Sequence, residues 1–191
     1  MVAGADPTVI SLVPPTGAQV EAHRRARIEV ATTGPPVGEV PPGYRFERFE
    51  RSLGGRAGAF ERARLGIEGW VPQRGSGVEV RSPAGAPAVG ETVAIVTRQL
   101  GLWVLAACRV VVVVDEPDRF GFTYATLPDH PEEGWESFTV AVDEGEVRFE
   151  IAAASRPAAA LVRLGAPVGR HLQRRAAAGY LDALARFVAQ G

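Results

Sequence analysis

Alternating hydrophobic and polar residues predict a series of β-strands through the middle of the chain. Segments with period-two alternation, or with continuous apolar character, are separated by short turns rich in glycine, proline and acidic residues. The first strand begins at Tyr44, and six more are predicted over residues 77–82, 91–99, 103–114, 119–127, 136–142 and 146–154. Because the links between successive strands are short, neighbouring strands should run antiparallel.

Two segments show helical spacing instead of alternation. Apolar residues recur every three or four positions over Ala57–Trp70, and a continuous apolar stripe follows the last segment, Pro157–Gln190. We expect Pro167 to kink this C-terminal helix about a third of the way along.

The order strand, helix, six strands, long helix predicts an α+β domain. One long helix cannot cover such a sheet completely, so a curved antiparallel sheet of about seven strands would close around the C-terminal helix and leave a cavity. This order resembles the helix-grip fold of START-like and pollen-allergen-like ligand carriers and of polyketide-cyclase-like enzymes. A resemblance of fold constrains function only weakly.

The N-terminal part of the chain is rich in proline and gives weaker signals. A short strand is predicted within Thr8–Val13 and a short helix over Thr16–Arg25. We interpret residues 1–34 as an extension that is packed on the domain or partly mobile, and residues 35–191 as the helix-grip domain.

The charge composition narrows the classes of function. The net charge is −1, so electrostatic attraction does not direct the protein to nucleic acid or to an anionic membrane. All 21 basic residues are arginine, which excludes lysine chemistry such as a Schiff base.

Cysteine usage and hydropathy favour a cytoplasmic protein. Cys108 is the single cysteine, so no internal disulfide can form, and we interpret it as a small buried hydrophobe. Met1–Val13 has neither a basic region nor a long apolar core, which argues against a signal peptide. The longest apolar stretch, Leu102–Val114, is interrupted by Arg109 and is too short for membrane insertion.

Period-two alternation also assigns side chains to the two faces of the sheet. Four aromatic residues should point inward: Phe120, Phe122, Phe138 and Phe149. Three polar residues share this inward face: Tyr124, Thr126 and Glu136. A buried carboxylate without a partner is costly, so Glu136 should be paired, protonated or close to water. Alternatively, Glu136 sits at the mouth of the cavity and caps a backbone group.

Antiparallel connections alternate between the two ends of a sheet, so the 99–102 turn, the 128–135 loop and the 155–157 junction should meet at one end. Candidate ligand contacts at this end are Trp103, Trp135, Ser155 and Arg156. Beside the N-terminus of the long helix, Arg156 would bind a ligand carboxylate or phosphate. The alternative is that Ser155 caps the helix and Arg156 pairs with a glutamate of the loop.

His130 is the strongest single candidate for a catalytic residue. It stands among carboxylates, and near neutral pH it would exchange protons with Glu136 as partner and Tyr124 as hydrogen-bond donor. Loop histidines are more often solvated or structural. The histidines and the lone cysteine do not have the spacing of a metal site, and no phosphate-binding loop is present, so we predict neither a metal nor a cofactor.

The stretch Gly121–Phe138, which contains Thr-Leu-Pro-Asp-His-Pro-Glu-Glu-Gly-Trp-Glu, resembles the signature of uncharacterised protein family 0548, a domain-of-unknown-function family. Further matches are Pro42-Gly43-Tyr44, Phe60–Trp70, Asp115-Glu116-Pro117, Ser155-Arg156-Pro157 and Gln173–Leu184, so the resemblance covers about residues 35–188. The family usually has two acids after the glycine, whereas Trp135 replaces the first here. A role that needs both carboxylates would fall to Glu132 or Glu133. The resemblance implies a soluble protein of bacterial or plant type and supplies no substrate.

Three functions are compatible with these patterns. The first is a binding module that holds a hydrophobic small molecule between the phenylalanines, oriented by Tyr124, Thr126 and Glu136. The second is an enzyme of secondary metabolism, a cyclase, dehydratase or hydrolase, with His130 and Glu136 as acid and base. The third is an interaction protein whose pocket is filled by its own side chains. The expected partner is a small molecule, and the chain should be a monomer or a homodimer.

Overall fold

A meander of long antiparallel strands forms the body of the protein. The computed structural model describes residues 10–55, 57–158 and 166–190. The strands are β1 (Ile10–Ser11), β2 (Arg45–Gly54), β3 (Glu79–Arg81), β4 (Thr92–Gln99), β5 (Leu102–Glu116), β6 (Arg119–Thr126), β7 (Glu132–Asp143) and β8 (Glu146–Pro157). The helices are α1 (Gly17–Arg25), α2 (Ala59–Glu68), α3 (Val71–Gly75) and α4 (Ala166–Ala189).

The strands form one sheet in the order β2-β8-β7-β6-β5-β4-β3, and the short β1 pairs with β5. All pairings are antiparallel, which confirms the predicted meander. Strands β7 and β8 are longer than predicted, because their ladder continues through the pairs Glu133–Arg156 and Glu132–Pro157. The sheet therefore begins β7 four residues before the predicted start.

Both predicted helices differ from expectation in their boundaries. The first is divided into α2 and α3 by Trp70, which has a left-handed backbone (φ 58°) and a completely buried ring. The C-terminal helix does not begin at Pro157, because that residue still pairs in β8. The described helix spans Ala166–Ala189, and because residues 159–165 lie outside the described ranges, the kink at Pro167 stays a prediction. No helix in the described ranges is long and apolar enough to cross a membrane.

The main core lies between the inner face of the sheet and helices α2, α3 and α4. Phe122 stacks on Phe138 with ring centroids 5.2 Å apart, and Trp70 tilts against Phe122 at 4.7 Å. The inward direction predicted for the four phenylalanines, Phe120, Phe122, Phe138 and Phe149, is correct. Each is at most 4 % exposed, so they are core residues and leave no surface open to a ligand.

The outer face of the sheet carries two smaller apolar clusters. Helix α1 packs over β4 and β5, where Val20 contacts a cluster that includes Leu105 and Trp103. Trp135 belongs to the second cluster, and its ring is tilted against Phe46 with the ring centroids 6.2 Å apart. Its indole N–H donates to the Glu39 carbonyl oxygen at 3.3 Å. The side chains of Trp103 and Trp135 both point to the outer face, so the ligand contact predicted for them stays a prediction and would lie on that face.

The described part of the N-terminal extension is packed on the domain. Thr16 caps α1, with its hydroxyl accepting the backbone N–H of Gln19 at 3.3 Å. Arg109 of β5 donates to the carbonyl oxygens of Arg27 and Ile28, just beyond the end of α1. These bonds fix the extension against β5.

Gly121 in β6 provides a test of how tightly the sheet is packed. A Cβ atom at this position would lie 2.3 Å from the Phe138 carbonyl oxygen and 2.8 Å from the Thr139 Cα atom, both in the backbone of β7. Backbone cannot move aside as a flexible side chain would, so we expect Gly121→Ala to lower the free energy of unfolding by about 2 to 3 kcal/mol in urea denaturation. Gly17→Ala is the matched control, since its nearest neighbour is 3.9 Å away. Equal stability of the two variants would contradict this packing.

Candidate functional site

The inner face of the sheet is sealed at one end and open at the other. Along β7, Val140 and Phe138 are fully buried, whereas Glu136 is only partly buried. The same loss of burial occurs along the neighbouring strands, and the partly buried inward residues are Ile95, Thr97, Val104, Glu136, Ala153 and Ser155. All of them lie towards the β4–β5 turn, the β6–β7 loop and the end of β8. This is the end that connection parity predicts as the polar one.

Tyr124 and Glu136 meet at the boundary between the sealed and the open part. They are direct cross-strand partners of β6 and β7, and the Tyr124 hydroxyl donates to Glu136 Oε2 at 2.5 Å. Tyr124 is only 6 % exposed. Among the described residues, Glu136 makes no other hydrogen bond, so its second oxygen is available to a ligand.

Burial sets the protonation of this pair. It raises the pKa of Glu136 to about 7, although the bond from Tyr124 opposes the shift and the charge of Glu132 adds to it. Burial also raises the pKa of Tyr124 well above its usual value, and the nearby Glu136 charge contributes. Tyr124 is therefore a neutral donor, whereas Glu136 changes its charge near neutral pH.

Tyr180 and Cys108 complete the surroundings of Glu136. Tyr180 of α4 packs edge-on against Phe138, with ring centroids 5.6 Å apart, and burial followed by the Glu136 charge raises its pKa. The same two causes raise the pKa of Cys108, which is fully buried. A thiol that stays protonated is a poor nucleophile, so Cys108 is a packing residue.

A second polar group joins α4 to the open end of the sheet. Gln173 of α4 donates to Glu132 Oε1 at 2.5 Å and to the Ser155 hydroxyl oxygen at 3.2 Å. Burial raises the pKa of Glu132, against the opposing hydrogen bond from Gln173. Ser155 points inward as predicted, but it belongs to β8 and does not cap a helix.

His130 has a structural bond and does not meet Glu136. Its Nδ1 lies 2.8 Å from the carbonyl oxygen and 3.0 Å from the backbone nitrogen of Glu132, and burial lowers its pKa to about 4 against the opposing backbone hydrogen bond. The ring is therefore neutral near neutral pH, with Nδ1 already occupied. Glu132 and Glu136 are four residues apart along β7, roughly 13 Å for an extended strand. The predicted acid–base pair of His130 and Glu136 is not assembled.

Arg156 lies on the outer face and forms a cluster with Tyr44 and Glu133. Its Nη2 donates to both carboxylate oxygens of Glu133 at 2.9 and 3.0 Å, and its guanidinium stands 4.7 Å from the centre of the Tyr44 ring. The Tyr44 hydroxyl also donates to Glu133, and together these bonds lower the pKa of Glu133. The alternative prediction, a pair of Arg156 with a glutamate of the predicted loop, is present, and the anion clamp stays a prediction.

Thr126 uses its hydroxyl to join three backbone segments. The oxygen accepts the Gly134 N–H at 3.0 Å and lies 2.8 Å from the Thr33 hydroxyl oxygen. Gly134 has no space for a side chain, because a Cβ atom there would lie 1.9 Å from the Ala154 carbonyl oxygen. Thr126 therefore holds the β6–β7 loop in place rather than facing a ligand.

Two residues of α4 belong to the site although sequence reasoning did not select them. Gln173 and Tyr180 are seven positions apart, so they lie on the same helix face, and that spacing was the available signal. Within the described ranges, no three histidine, cysteine, aspartate or glutamate side chains are grouped so that they could hold a metal ion.

The raised pKa of Glu136 predicts a pH dependence of stability. The unfolded pKa is near 4.3, below the folded value of about 7, so folding favours the protonated form. Stability should fall as pH rises from about 5 to 8, by roughly 1 to 3 kcal/mol from this group. Glu136→Gln should remove this component. The free energy of unfolding of the variant, measured relative to the wild type by urea denaturation, should therefore rise between pH 5 and pH 8.

Glu133→Gln is the matched control for this measurement. Its carboxyl has a lowered pKa on the outer face, so it stabilises the fold above the unfolded pKa and loses that effect as pH falls. Between pH 5 and pH 8, Glu133→Gln should therefore differ from the wild type by a constant amount, whereas the difference for Glu136→Gln should change with pH. Parallel trends would contradict the assignment of Glu136 as a buried acid.

Comparisons with known proteins agree on the family. Residues 26–183 match the model of DUF1990, a domain of unknown function. The chain is 34% identical over 191 residues to a UPF0548 protein of Deinococcus radiodurans, and the match covers 92% of this chain and 96% of the relative. A UPF0548 protein of Dictyostelium discoideum is 38% identical over 101 residues, which are 46% of this chain and only 47% of that relative.

Solved structures with low sequence identity show the fold. The hypothetical protein jhp0584 from Helicobacter pylori superimposes with a TM-score of 0.59 at 12% identity, covering 83% of this chain and 96% of that one. A point mutant of Thalictrum flavum norcoclaurine synthase, in complex with a transition-state analogue, gives a TM-score of 0.50 at 11% identity, covering 80% and 98%. The helix-grip prediction is confirmed by such neighbours and by the sheet with its long C-terminal helix. Because the family model spans most of the chain and the Deinococcus protein matches it almost end to end, the chain belongs to the UPF0548 family.

Proposed function

We propose that the protein binds a hydrophobic small molecule between the open end of the inner face and α4. The observation that carries this proposal is the loss of burial along the inner face, which begins where Tyr124 and Glu136 meet. Apolar side chains border the space, and a few polar groups face it, as in most small-molecule sites. The fold supports the proposal at the level of analogy alone.

Each part of the site has a distinct task in this proposal. Ile95, Val104 and Ala153 supply apolar surface, and the buried phenylalanines form the rigid floor beneath them. Tyr124 holds one oxygen of Glu136, so the other oxygen has a fixed direction towards the ligand. The bond from Gln173 to Glu132 fixes α4 over the space.

A groove on the outer face is a weaker candidate. It encloses about 350 Å³ and runs across Phe46, Ser137 and Ala152. Its charged groups Arg48 and Glu150 already pair at 3.4 Å, and Ser137 donates to the Ala152 carbonyl oxygen. These three polar groups of the groove are therefore already paired, whereas the inner face presents Glu136 with one oxygen open.

A substitution that fills the inner space tests the proposal. Ala153→Phe places a ring at the partly buried inward position of β8 and should weaken binding of the neutral fluorescent lipophile N-phenyl-1-naphthylamine by at least about tenfold. Fluorescence titration measures the affinity, and circular dichroism confirms that the variant is folded.

Ala178→Phe is the control, because Ala178 is exposed on α4. It should bind the probe as the wild type does. Failure of the wild type to bind the probe in a saturable manner, or equal weakening in both variants, would argue against an internal site.

A second candidate function is acid–base catalysis in the same space. The observation that favours it is the Tyr124–Glu136 pair, with a carboxyl whose pKa is about 7 next to a neutral phenol. A general base works best when its pKa lies near the working pH. Glu136 would take or give the proton and Tyr124 would donate a hydrogen bond, as in a cyclase, dehydratase or hydrolase. His130 is left out of this scheme, because it makes no hydrogen bond to Glu136 among the described residues.

Turnover distinguishes the enzyme from the carrier. The wild-type protein is incubated with a metabolite extract, and mass spectrometry follows compounds that are consumed. If the protein is an enzyme, Glu136→Gln should slow consumption by about 100-fold or more while the compound still binds. Binding without any chemical change in the wild type would assign the carrier role.

A further inference from the structure

We infer that the ligand carries a cationic group, a protonated amine or a quaternary ammonium, which Glu136 binds beside the rings of Tyr124 and Tyr180. The inference rests on the proposed binding function and specifies the chemical class of the ligand. Three observations support it: the partners of Glu136, the positions of the nearby cations, and the aromatic groups around the carboxyl.

Glu136 faces the open space with an acceptor that no cation satisfies. Its one hydrogen-bond partner in the described structure is the phenol of Tyr124, a neutral donor to Oε2. The carboxyl is nevertheless only partly buried, so the other oxygen faces the region where a ligand would lie. A carboxylate in such a place gains most from a cationic partner.

Among the described residues, the cations near this end of the sheet lie beside other carboxylates. Arg156 is on the outer face with Glu133, and Arg174 of α4 lies 3.8 Å from Glu47. Arg45 lowers the pKa of Glu132 rather than that of Glu136. His130 is held neutral by burial. Within the described residues, Glu136 is therefore an inward carboxylate without a cationic neighbour, which favours a cationic ligand over an anionic one.

Two tyrosines stand near the carboxyl: Tyr124 donates its hydroxyl to it, and Tyr180 interacts with its charge. The ring centroids of Tyr124 in β6 and Tyr180 in α4 each lie 5.6 Å from the ring centroid of Phe138. Ring faces next to a carboxylate attract a cation through the ring quadrupole.

The Tyr180 hydroxyl adds an acceptor near Glu136. Tyr180 is 9 % exposed, and its hydroxyl makes no hydrogen bond within the part of the chain that the structure describes. The Glu136 charge raises the pKa of this phenol, so the two groups are close enough to interact. An ammonium N–H would give the hydroxyl the partner that it lacks.

Three ligands with the same alkyl chain test the inference: octylamine, octanol and octanoate. Isothermal titration calorimetry at pH 8 measures each affinity. Octylamine, which is protonated at this pH, should bind about tenfold or more tightly than octanol, and octanoate should bind most weakly. Glu136→Gln should reduce octylamine to the affinity of octanol, without weakening octanol. Glu133→Gln, on the outer face, should keep the preference for the amine.

Proton release gives a second readout on the wild-type protein, so the test does not depend on a variant that folds. At pH 7, a cation that binds ionised Glu136 should release about half a proton, measured in two buffers of different ionisation enthalpy. The other titratable groups facing Glu136 are Tyr124, Cys108, Tyr180 and Glu132; burial keeps the first three protonated. Octanol should release no proton.

Each outcome bears on a different statement. If none of the three ligands binds, the proposed binding function itself fails. If octanol or octanoate binds as tightly as octylamine, the binding function stands and the cationic class is overturned. If Glu136→Gln keeps the preference for octylamine, or octylamine binds to the wild type without proton release, Glu136 is not the receiving group.

Discussion

The structure depends on the unequal filling of the space between the sheet and α4. At one end, large side chains such as Phe138, Phe149 and Trp70 interlock and leave no room. At the other end, the inward residues of β8, Ala153 and Ser155, are small, whereas Phe149 and Ile151 fill the inward positions earlier in the same strand. Helix α4 contacts both ends: Tyr180 and Leu184 belong to the filled core, and Gln173 bonds to Glu132 at the less filled end.

This gradient explains why two neighbouring glutamates have opposite properties. Glu132 and Glu133 are consecutive residues of an extended strand, so their side chains point to opposite faces. Glu133 faces outward and is stabilised as an anion by Tyr44 and Arg156, whereas Glu132 faces inward and meets only neutral donors. Glu136 shares the inner face and has a still larger loss of hydration. Strand β7 thus carries a hydrogen-bonded and ion-paired carboxylate on its outer face and two carboxyl groups on its inner face whose charged form is disfavoured by burial.

Period-two alternation predicted the central pair of the site, because Tyr124 and Glu136 lie in regular strands with clear faces. Alternation gave no guidance where a residue was assigned to the candidate site because it lies near one end of the sheet. Trp103 and Trp135 lie near the predicted end, but position along a strand does not determine which face a side chain occupies. The sequence predicts a helix start at Pro157, next to Arg156, whereas pairing with β7 extends the strand through that proline. The role of His130 was judged from its neighbours in sequence, and its bond to the Glu132 backbone depends on loop geometry that no pattern reveals.

The bonds of Thr126 also concern the autonomy of the domain. The Thr126 carbonyl and hydroxyl both bind Thr33, and the same hydroxyl accepts from Gly134 at the start of β7. Thr33 is thereby a supporting residue for the loop that precedes Glu136, although it lies almost a hundred positions earlier in the chain. The segment after α1 therefore supports the β6–β7 loop, because shortening the chain past Thr33 would remove the partner of Thr126.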